Sequence, residues 1–271
     1  MTPKIIHYCW FGRNPLPELA QKCIASWRKF LPEYEIWQWS EESMENENPI
    51  FDKILTFDVN VIPYTAEAYR QKKYAFVSDY ARFWILYHHG GLYFDTDVEV
   101  IRPMDDIIAK GNFMGFEVDP DGENTPGKYA PRYAFGVNPG LGTGFSKACP
   151  FLKKMILLYG QLTFQNTGMN PWLKTVVAHT TEALMEEGLK NQKGIQQVGY
   201  ITIYPHEYFA PIDVITGRLH VMPNTRSIHR YMGSWDEGKR KSLKEKMRNA
   251  LPEWVFYLNN RIKRRRYRMK R

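Results

Sequence analysis

Two aspartates, Asp95 and Asp97, follow a short apolar stretch, Leu92-Tyr93-Phe94. Residues i and i+2 of an extended strand point the same way. A strand continuing through Thr96 therefore puts both carboxylates on one side, where they can meet one cation. Hard dications such as Mg²⁺ and Mn²⁺ favour such oxygen ligands and commonly keep a substrate's phosphates as partners. The implied chemistry is a metal-held phosphate ester. A lone D-x-D in a chain with 29 acidic residues also reads as a solvated turn. Its context gives it weight: Asp79 and Arg82 stand three apart on a helical pattern, then Gly90-Gly91 interrupts it, giving S-D-x-x-R followed by G-G-x-Y-x-D-x-D. The alternative reading of the Asp79–Arg82 spacing is a surface ion pair on a helix.

The elements that must hold these residues follow from periodicity. Ile5 to Trp10 reads as a buried strand, Pro17 to Phe30 as a helix with Leu19, Cys23, Ile24 and Trp27 at helical spacing, and Glu35 to Trp39 as a second strand. Strand–helix–strand argues for a parallel, Rossmann-like sheet. Asn46 to Tyr64 reads as loop plus a short helix. Ala66 to His88 reads as one helix ended by Gly90-Gly91, with Ala75, Val77, Ala81, Trp84, Ile85 and His88 as its apolar side. Asp119 to Arg132, broken by prolines and glycines, reads as a loop. Tyr133 to Val137 reads as a strand, and Leu152–Gly160 and Leu173–Gly188 as helices. Gly199–Tyr204 and the region near Val221 read as short strands, and Ser242–Ala250 and Trp254–Arg271 as helices.

Composition bounds the rest. The chain of 271 residues, 44% apolar and 15% aromatic, suits one large domain with an appendage. The net charge of +8 is uneven: residues 237–271 carry 14 Lys and Arg against 3 Glu, a net +11, which leaves −3 for residues 1–236. Cys9, Cys23 and Cys149 are odd in number and lack a C-x-x-C, so neither a disulfide framework nor a zinc site is implied and a reducing compartment is expected. The start, MTPKIIHYCWFG, is not expected to be a signal peptide, and no run of about 18 apolar residues suggests a spanning helix.

The central block resembles glycosyltransferase family 32, the DXD-containing sugar transferases of bacterial capsular polysaccharide type. It is more distantly similar to the glucosylating domain of large clostridial toxins. The opening Pro3-Lys4-Ile5-Ile6-His7-Tyr8-Cys9-Trp10-Phe11-Gly12 and the closing Ser227-Ile228-His229-Arg230-Tyr231-Met232-Gly233-Ser234-Trp235 agree, so the resemblance covers about residues 1–236, with 110–220 matching poorly. It implies a GT-A-type mixed sheet flanked by helices, followed by a helical basic C-terminal tail. A catalytic domain over residues 1–236 and a tail over 237–271 are expected.

The resemblance also implies roles. Asp97 ligates Mn²⁺ or Mg²⁺, and Asp95 reaches the ribose or donor sugar as well as the metal. Asp79 and Arg82 hold donor-sugar hydroxyls, with Arg82 near the diphosphate. Trp10 stacks on the base, with Cys9 offering its backbone; core packing is the alternative for Trp10. His229 reads as a metal or diphosphate contact or as a structural histidine. Ser234 and Trp235 donate to phosphate oxygens, and Asn138 faces the donor. The implied reaction is retaining transfer from a UDP-sugar by a front-face route, in which the departing phosphate takes the acceptor proton. No carboxylate nucleophile is evident, and Glu117 and Asp119 remain candidate contributors.

The tail Arg261-Ile262-Lys263-Arg264-Arg265-Arg266-Tyr267-Arg268-Met269-Lys270-Arg271 follows Trp254-Val255-Phe256-Tyr257-Leu258. Aromatics beside a cationic run suit an anionic membrane surface. The expectation is a cytoplasmic enzyme, peripheral at the inner face of the cell membrane through residues 254–271, using a lipid-linked saccharide acceptor. Nucleic-acid binding through the tail, a sugar-binding module without catalysis and a solvated tail are the alternatives.

Overall fold

The structure is a computed structural model and describes residues 2–42, 50–120, 135–164, 175–213 and 217–232. The core is a nine-stranded mixed sheet. Its strands are β1 (Ile5–Cys9), β2 (Glu35–Ser40), β3 (Lys53–Thr56), β4 (Gly91–Tyr93), β6 (Asn112–Val118), β7 (Gly136–Asn138), β8 (Thr143–Phe145), β9 (Gln196–Val198) and β10 (Ile201–Tyr204). The order is β3-β2-β1-β4-β8-β6-β10-β9, with β7 also on β6. β1 pairs in parallel with β2 and β4, and β6 with β10, whereas β8 runs antiparallel to β4 and β6. The C-terminal ends of β1, β4, β6 and β10 thus share one edge. A separate two-stranded ribbon joins β5 (Val98–Val100) to β11 (Ser227–His229).

Helices cover both faces. On one lie α2 (Pro63–Arg70), α3 (Tyr74–His89), α5 (Pro150–Gln161) and α6 (Val176–Glu186), packed on Phe83, Phe116, Phe145 and Met155. On the other, α1 (Glu18–Phe30) buries Ile24 and Trp27 against Ile6, Leu92 and Phe94, and the Trp27 indole donates to the Val98 carbonyl at 2.7 Å. A single short helix, α4 (Asp105–Ile108), precedes β6.

The strand–helix–strand start is present as expected. The single helix over Ala66–His88 is two, because Lys72 adopts φ 58° and Lys73 N–H turns back to the Ala68 carbonyl at 2.8 Å. Its apolar side is also broader than the pattern implied: Tyr80, Phe83 and Leu86 are buried too, whereas His88 is exposed. Asn46–Tyr64 contains β3, which pairs with β2. The strand near Val221 is an exposed arm bridged once, Leu219 to Ile212, and the regular strand lies later, at β11. Residues 133 and 134 of the expected Tyr133–Val137 strand lie outside the described residues, as do most of the Asp119–Arg132 loop, both C-terminal helices, the 236/237 boundary and the whole basic tail.

Gly90 and Gly91, at φ 66° and 96°, end α3 and start β4 in a conformation that L side chains rarely adopt. A Cβ on Gly91 would stand 2.6 Å from the Ile5 carbonyl oxygen. This tight passage delivers the chain from α3 directly into the strand that leads to Asp95.

Candidate active site

Asp95-Thr96-Asp97 is a turn, not a continued strand. β4 stops at Tyr93, and the Val98 N–H closes back onto the Asp95 carbonyl at 3.0 Å. The two carboxylates therefore part: Asp95 faces α3 and Asp97 faces β11. The premise that both lie on one side of a strand is corrected, although Asp97 remains close enough for its charge to help raise the Asp95 carboxyl.

Arg82 organises the α3 side. Its Nη2 donates to Asp79 Oδ1 at 2.9 Å and stands 3.3 Å from Asp95 Oδ1. Nη1 reaches Asp95 Oδ2 at 3.4 Å, Nε donates to the Ser78 carbonyl at 3.1 Å, and the guanidinium lies 5.0 Å above the Tyr93 ring. Asp79 is 8% and Arg82 3% exposed, so the surface ion-pair alternative fails. Burial pushes the Asp79 carboxyl up to about 7, opposed by Arg82 and helped by Asp95. Burial also raises Asp95, again opposed by Arg82. Together Asp79 and Asp95 hold the Arg82 guanidinium protonated despite its burial.

The β11 side closes from the far end of the chain. His229 Nε2 lies 3.1 Å from Asp97 Oδ1, the Met232 N–H donates to Asp97 Oδ2 at 2.8 Å, and the Arg230 N–H donates to the Asp97 carbonyl at 2.9 Å. Burial opposes charge on both partners, but their attraction wins. The Asp97 carboxyl lies below its ordinary value, and the His229 imidazole is raised to about 9.

Asn138 is buried and works through its neighbour: its Oδ1 accepts the Gly140 N–H at 2.7 Å, while the Gly140 carbonyl accepts the Asp95 N–H at 3.0 Å. A Cβ on Gly140 would overlap the Asp95 carboxylate and come 2.7 Å from Arg82 Nη1. Sequence reasoning missed Gly140; the G-V-N-P-G-L-G-T-G run held the only signal for it. Trp10 follows β1 at the same sheet edge, half-buried, with its Nε1 donating to the Asn14 carbonyl at 2.6 Å. Cys9 is buried, and burial pushes its thiol up to about 12, so its side chain is inert. Glu117, on β6, is buried and its charge helps hold the His229 cation. Asp119 is engaged elsewhere, accepting both the backbone N–H and ring Nδ1 of His206 at 2.7 Å. Ser234 and Trp235 lie outside the described residues.

The donor set can be tested against a hard dication. Among the described residues no three His, Cys, Asp or Glu side chains form a ready coordination sphere, since Asp95 is turned to Arg82 and Asp97 to His229. The chemistry still fits: two carboxylates and an imidazole meet at one edge, and His229 Nδ1 is a buried nitrogen with no hydrogen-bond partner among the described residues. A dication taking the place of the proton between Asp97 and His229 would have oxygen and nitrogen donors suited to Mn²⁺ or Mg²⁺.

A mixed α/β sheet flanked by helices, with a helix-borne guanidinium and a D-x-D turn at the carboxyl ends of its strands, has the GT-A-type fold. The chain superposes on the PaToxG glycosyltransferase with a TM-score of 0.50 at 20% identity, over 69% of this chain and 70% of that one. More particularly, residues 17–114 match the family model described as "Glycosyltransferase sugar-binding region containing DXD motif". It is 31% identical over 131 residues to inositol phosphoceramide mannosyltransferase 1 of Schizosaccharomyces pombe, covering 44% of this chain and 35% of that protein. It is 23% identical over 205 residues to the initiation-specific alpha-1,6-mannosyltransferase of Candida albicans, covering 70% of this chain and 45% of that protein. These relatives are glycosyltransferases by name, and the chain spans between about a third and a half of their lengths.

Proposed function

We propose that this protein transfers a hexose, with retention, from a UDP-sugar to a lipid-linked saccharide acceptor in the synthesis of a surface or capsular polysaccharide. The observation that supports this most is the buried Asp79–Arg82–Asp95 cluster held against the Asp97–His229 pair at the carboxyl edge of the sheet. Ligands bind open α/β sheets at that edge, and a buried guanidinium flanked by carboxylates is suited to sugar hydroxyls and a diphosphate. The names of the relatives carry mannose, which makes mannosyl donors the first alternatives to test.

In this reading Asp97, Asp95 and His229 hold Mn²⁺ or Mg²⁺. Such a cation, when bound, neutralises charge on the leaving diphosphate as a Lewis acid. The protein's own residues do the rest. Arg82, fixed on three sides, offers N–H donors to donor oxygens without reorganising. Asp79 and Asp95 accept hydrogen bonds from sugar hydroxyls. Asn138 and Gly140 keep Asp95 in place, and Trp10 offers a ring face to the base at the end of β1. Ser234 and Trp235 contribute donors to the diphosphate. The enzyme works at the cytoplasmic face of the cell membrane, held there by residues 254–271. The test is a panel of UDP- and GDP-hexoses with and without Mn²⁺, scored by donor hydrolysis and thermal shift. A stabilised, hydrolysed UDP-hexose supports the reading. No shift and no hydrolysis with any donor defeats it.

A further inference from the structure

A second carboxylate–imidazole pair stands at the same edge of the sheet and takes no part in the donor cluster. Asp119 lies just past β6, and His206 opens the single turn His206–Tyr208 that follows β10; the two strands pair in parallel. Asp119 Oδ1 accepts the His206 backbone N–H and Oδ2 the ring Nδ1–H, each at 2.7 Å. A carboxylate only accepts, so Nδ1 carries the proton and Nε2 is the nitrogen left over. Among the described residues Nε2 makes no hydrogen bond. The His206 and Asp119 side chains are 38% and 33% exposed, so a solute can reach that nitrogen.

Strand alternation places the pair beside the metal half of the donor site. Residues 113, 115, 117 and 119 fall on one side of β6, while Phe116 and Val118 pack into the cluster on the other. Phe113 stacks on Phe209, a Cβ on Gly115 would stand 2.4 Å from the same ring, and the charge of Glu117 acts on His229. Asp119 is the next position on that side, one step nearer the open edge. The turn bearing His206 is tied to the same place: three residues on, the Phe209 carbonyl accepts the His229 N–H at 3.1 Å. The pair thus flanks Asp97–His229 at the carboxyl edge, where open α/β sheets take their ligands.

Charge selects the ligand. The charges of Asp119, Glu207 and Asp213 all act on the His206 ring. Three acids repel a diphosphate or any other anion. A hydroxyl is neutral, and it donates to Nε2 when the ring is neutral and accepts from it when the ring is protonated. We propose that Asp119 and His206 form a subsite for the saccharide acceptor, in which His206 Nε2 bonds one acceptor hydroxyl and Asp119 fixes the ring. The subsite deepens the proposed function and rests on its reading that a saccharide accepts the hexose. His206 orients the hydroxyl and selects which one is presented; Asp119 is a positioning residue that acts through His206.

The test compares transfer with hydrolysis, because water needs no subsite and a saccharide does. The full chain, His206→Ala, His206→Gln and Asp119→Asn are given UDP- and GDP-hexoses with Mn²⁺ and a panel of octyl hexosides as acceptors. His206→Ala raises KM for the hexoside about five- to tenfold and lowers the ratio of transfer to hydrolysis to match, with KM for the donor as in the wild type. His206→Gln, whose amide can both donate and accept, recovers part of the loss. Asp119→Asn gives a smaller rise. Transfer and hydrolysis falling by one factor, or a hexoside KM that His206→Ala leaves as it was, overturns the subsite. So does a wild type that hydrolyses a donor and transfers to none of the hexosides. A second measurement needs neither turnover nor a folded variant of uncertain stability: the ¹⁵N imidazole signals of the wild type, with His206 assigned by its absence from His206→Gln. The Nε2 signal of His206 moves on adding the hexosides; a signal that stays put overturns the subsite. A wild type that hydrolyses no donor while that signal responds counts against the proposed enzyme and not against the subsite.

Discussion

The two halves of the site are built at different ranges of the chain. Asp79, Arg82 and Asp95 come from one stretch, carried by α3 and the strand that follows it, and their contacts span at most 13 positions. Asp97 meets His229 and Met232, the latter 135 positions away. The first half is rigid by construction, since Gly90-Gly91, β4 and α3 fix one another. The second exists only when the C-terminal ribbon has docked. A site divided this way has a locally preformed half and a half completed by tertiary folding, and the two respond differently to substitution.

Asp97→Ala strikes the docked half and has the largest expected effect on chemistry. It removes the carboxylate proposed to hold the cation and frees the Met232 N–H, and turnover is expected to fall by roughly a hundred- to a thousandfold. Far-UV circular dichroism stays unchanged, because β11 keeps its ladder to β5. Full transfer by this variant with added Mn²⁺ would mean that the metal side lies elsewhere.

Arg82→Ala strikes the local half and acts on stability as well. It strands the buried Asp79 carboxylate and the half-buried Asp95, and breaking a buried pair costs about 3–5 kcal/mol. Urea unfolding measures it. Asp79→Asn is the sharper control: the Asp79 carboxyl sits near 7 and is partly protonated at neutral pH, so the neutral amide costs less. A larger loss in Asp79→Asn than in Arg82→Ala would reverse the assignment of Arg82 as the organiser.

Gly140→Ala probes the wall that keeps the local half in place. Its new Cβ collides with the Asp95 carboxylate, and overpacking of this kind costs about 1–3 kcal/mol. Donor affinity weakens more than the melting temperature suggests, because Asp95 is displaced from Arg82. Calorimetric titration of a donor analogue and a thermal melt, read together, separate the two effects.

The same division explains what the sequence revealed. The S-D-x-x-R and D-x-D strings named the local half because its contacts follow from helix spacing and one glycine break. The N-terminal strands were legible because β1 is a short, largely apolar run and β2 is rich in β-formers, Ile36, Trp37 and Trp39. The turn at Asp95–Asp97 was not legible, since strand and turn share the same two-residue spacing and only the 95–98 hydrogen bond separates them. Gly140 was hidden because its role is to leave room. β6, β8 and β11 were missed because they draw their stability from partners distant in sequence; Glu117 and Asp119 were named as candidates, but the Asp119–His206 pairing is a tertiary fact. His229 was found through its surrounding string, whereas its pairing with Asp97 is a tertiary fact.

The smallest expected effect lies beneath the local half, where His7 joins β1 to the Gly90 turn. The Trp39 indole can only donate, so His7 Nδ1, at 3.1 Å, is the acceptor, and Nε2 donates to the Gly90 carbonyl at 2.9 Å. This neutral tautomer is locked in, and burial lowers the His7 pKa to about 3, with the Gly90 bond opposing and the charge of His89 assisting. The unfolded chain takes up the proton near 6.5. Between those two values the unfolded state therefore binds more protons, and stability falls as the pH drops. Nothing is lost above 6.5; about 2 kcal/mol is gone by pH 5. Urea unfolding of the wild type and of His7→Gln from pH 7.5 to 5 measures the difference. The wild type loses stability on acidification, and the glutamine variant, less stable at pH 7.5, has the flatter profile. Parallel slopes would mean that the His7 ring accepts its proton in the folded protein and that the Gly90 turn is not held by the neutral imidazole.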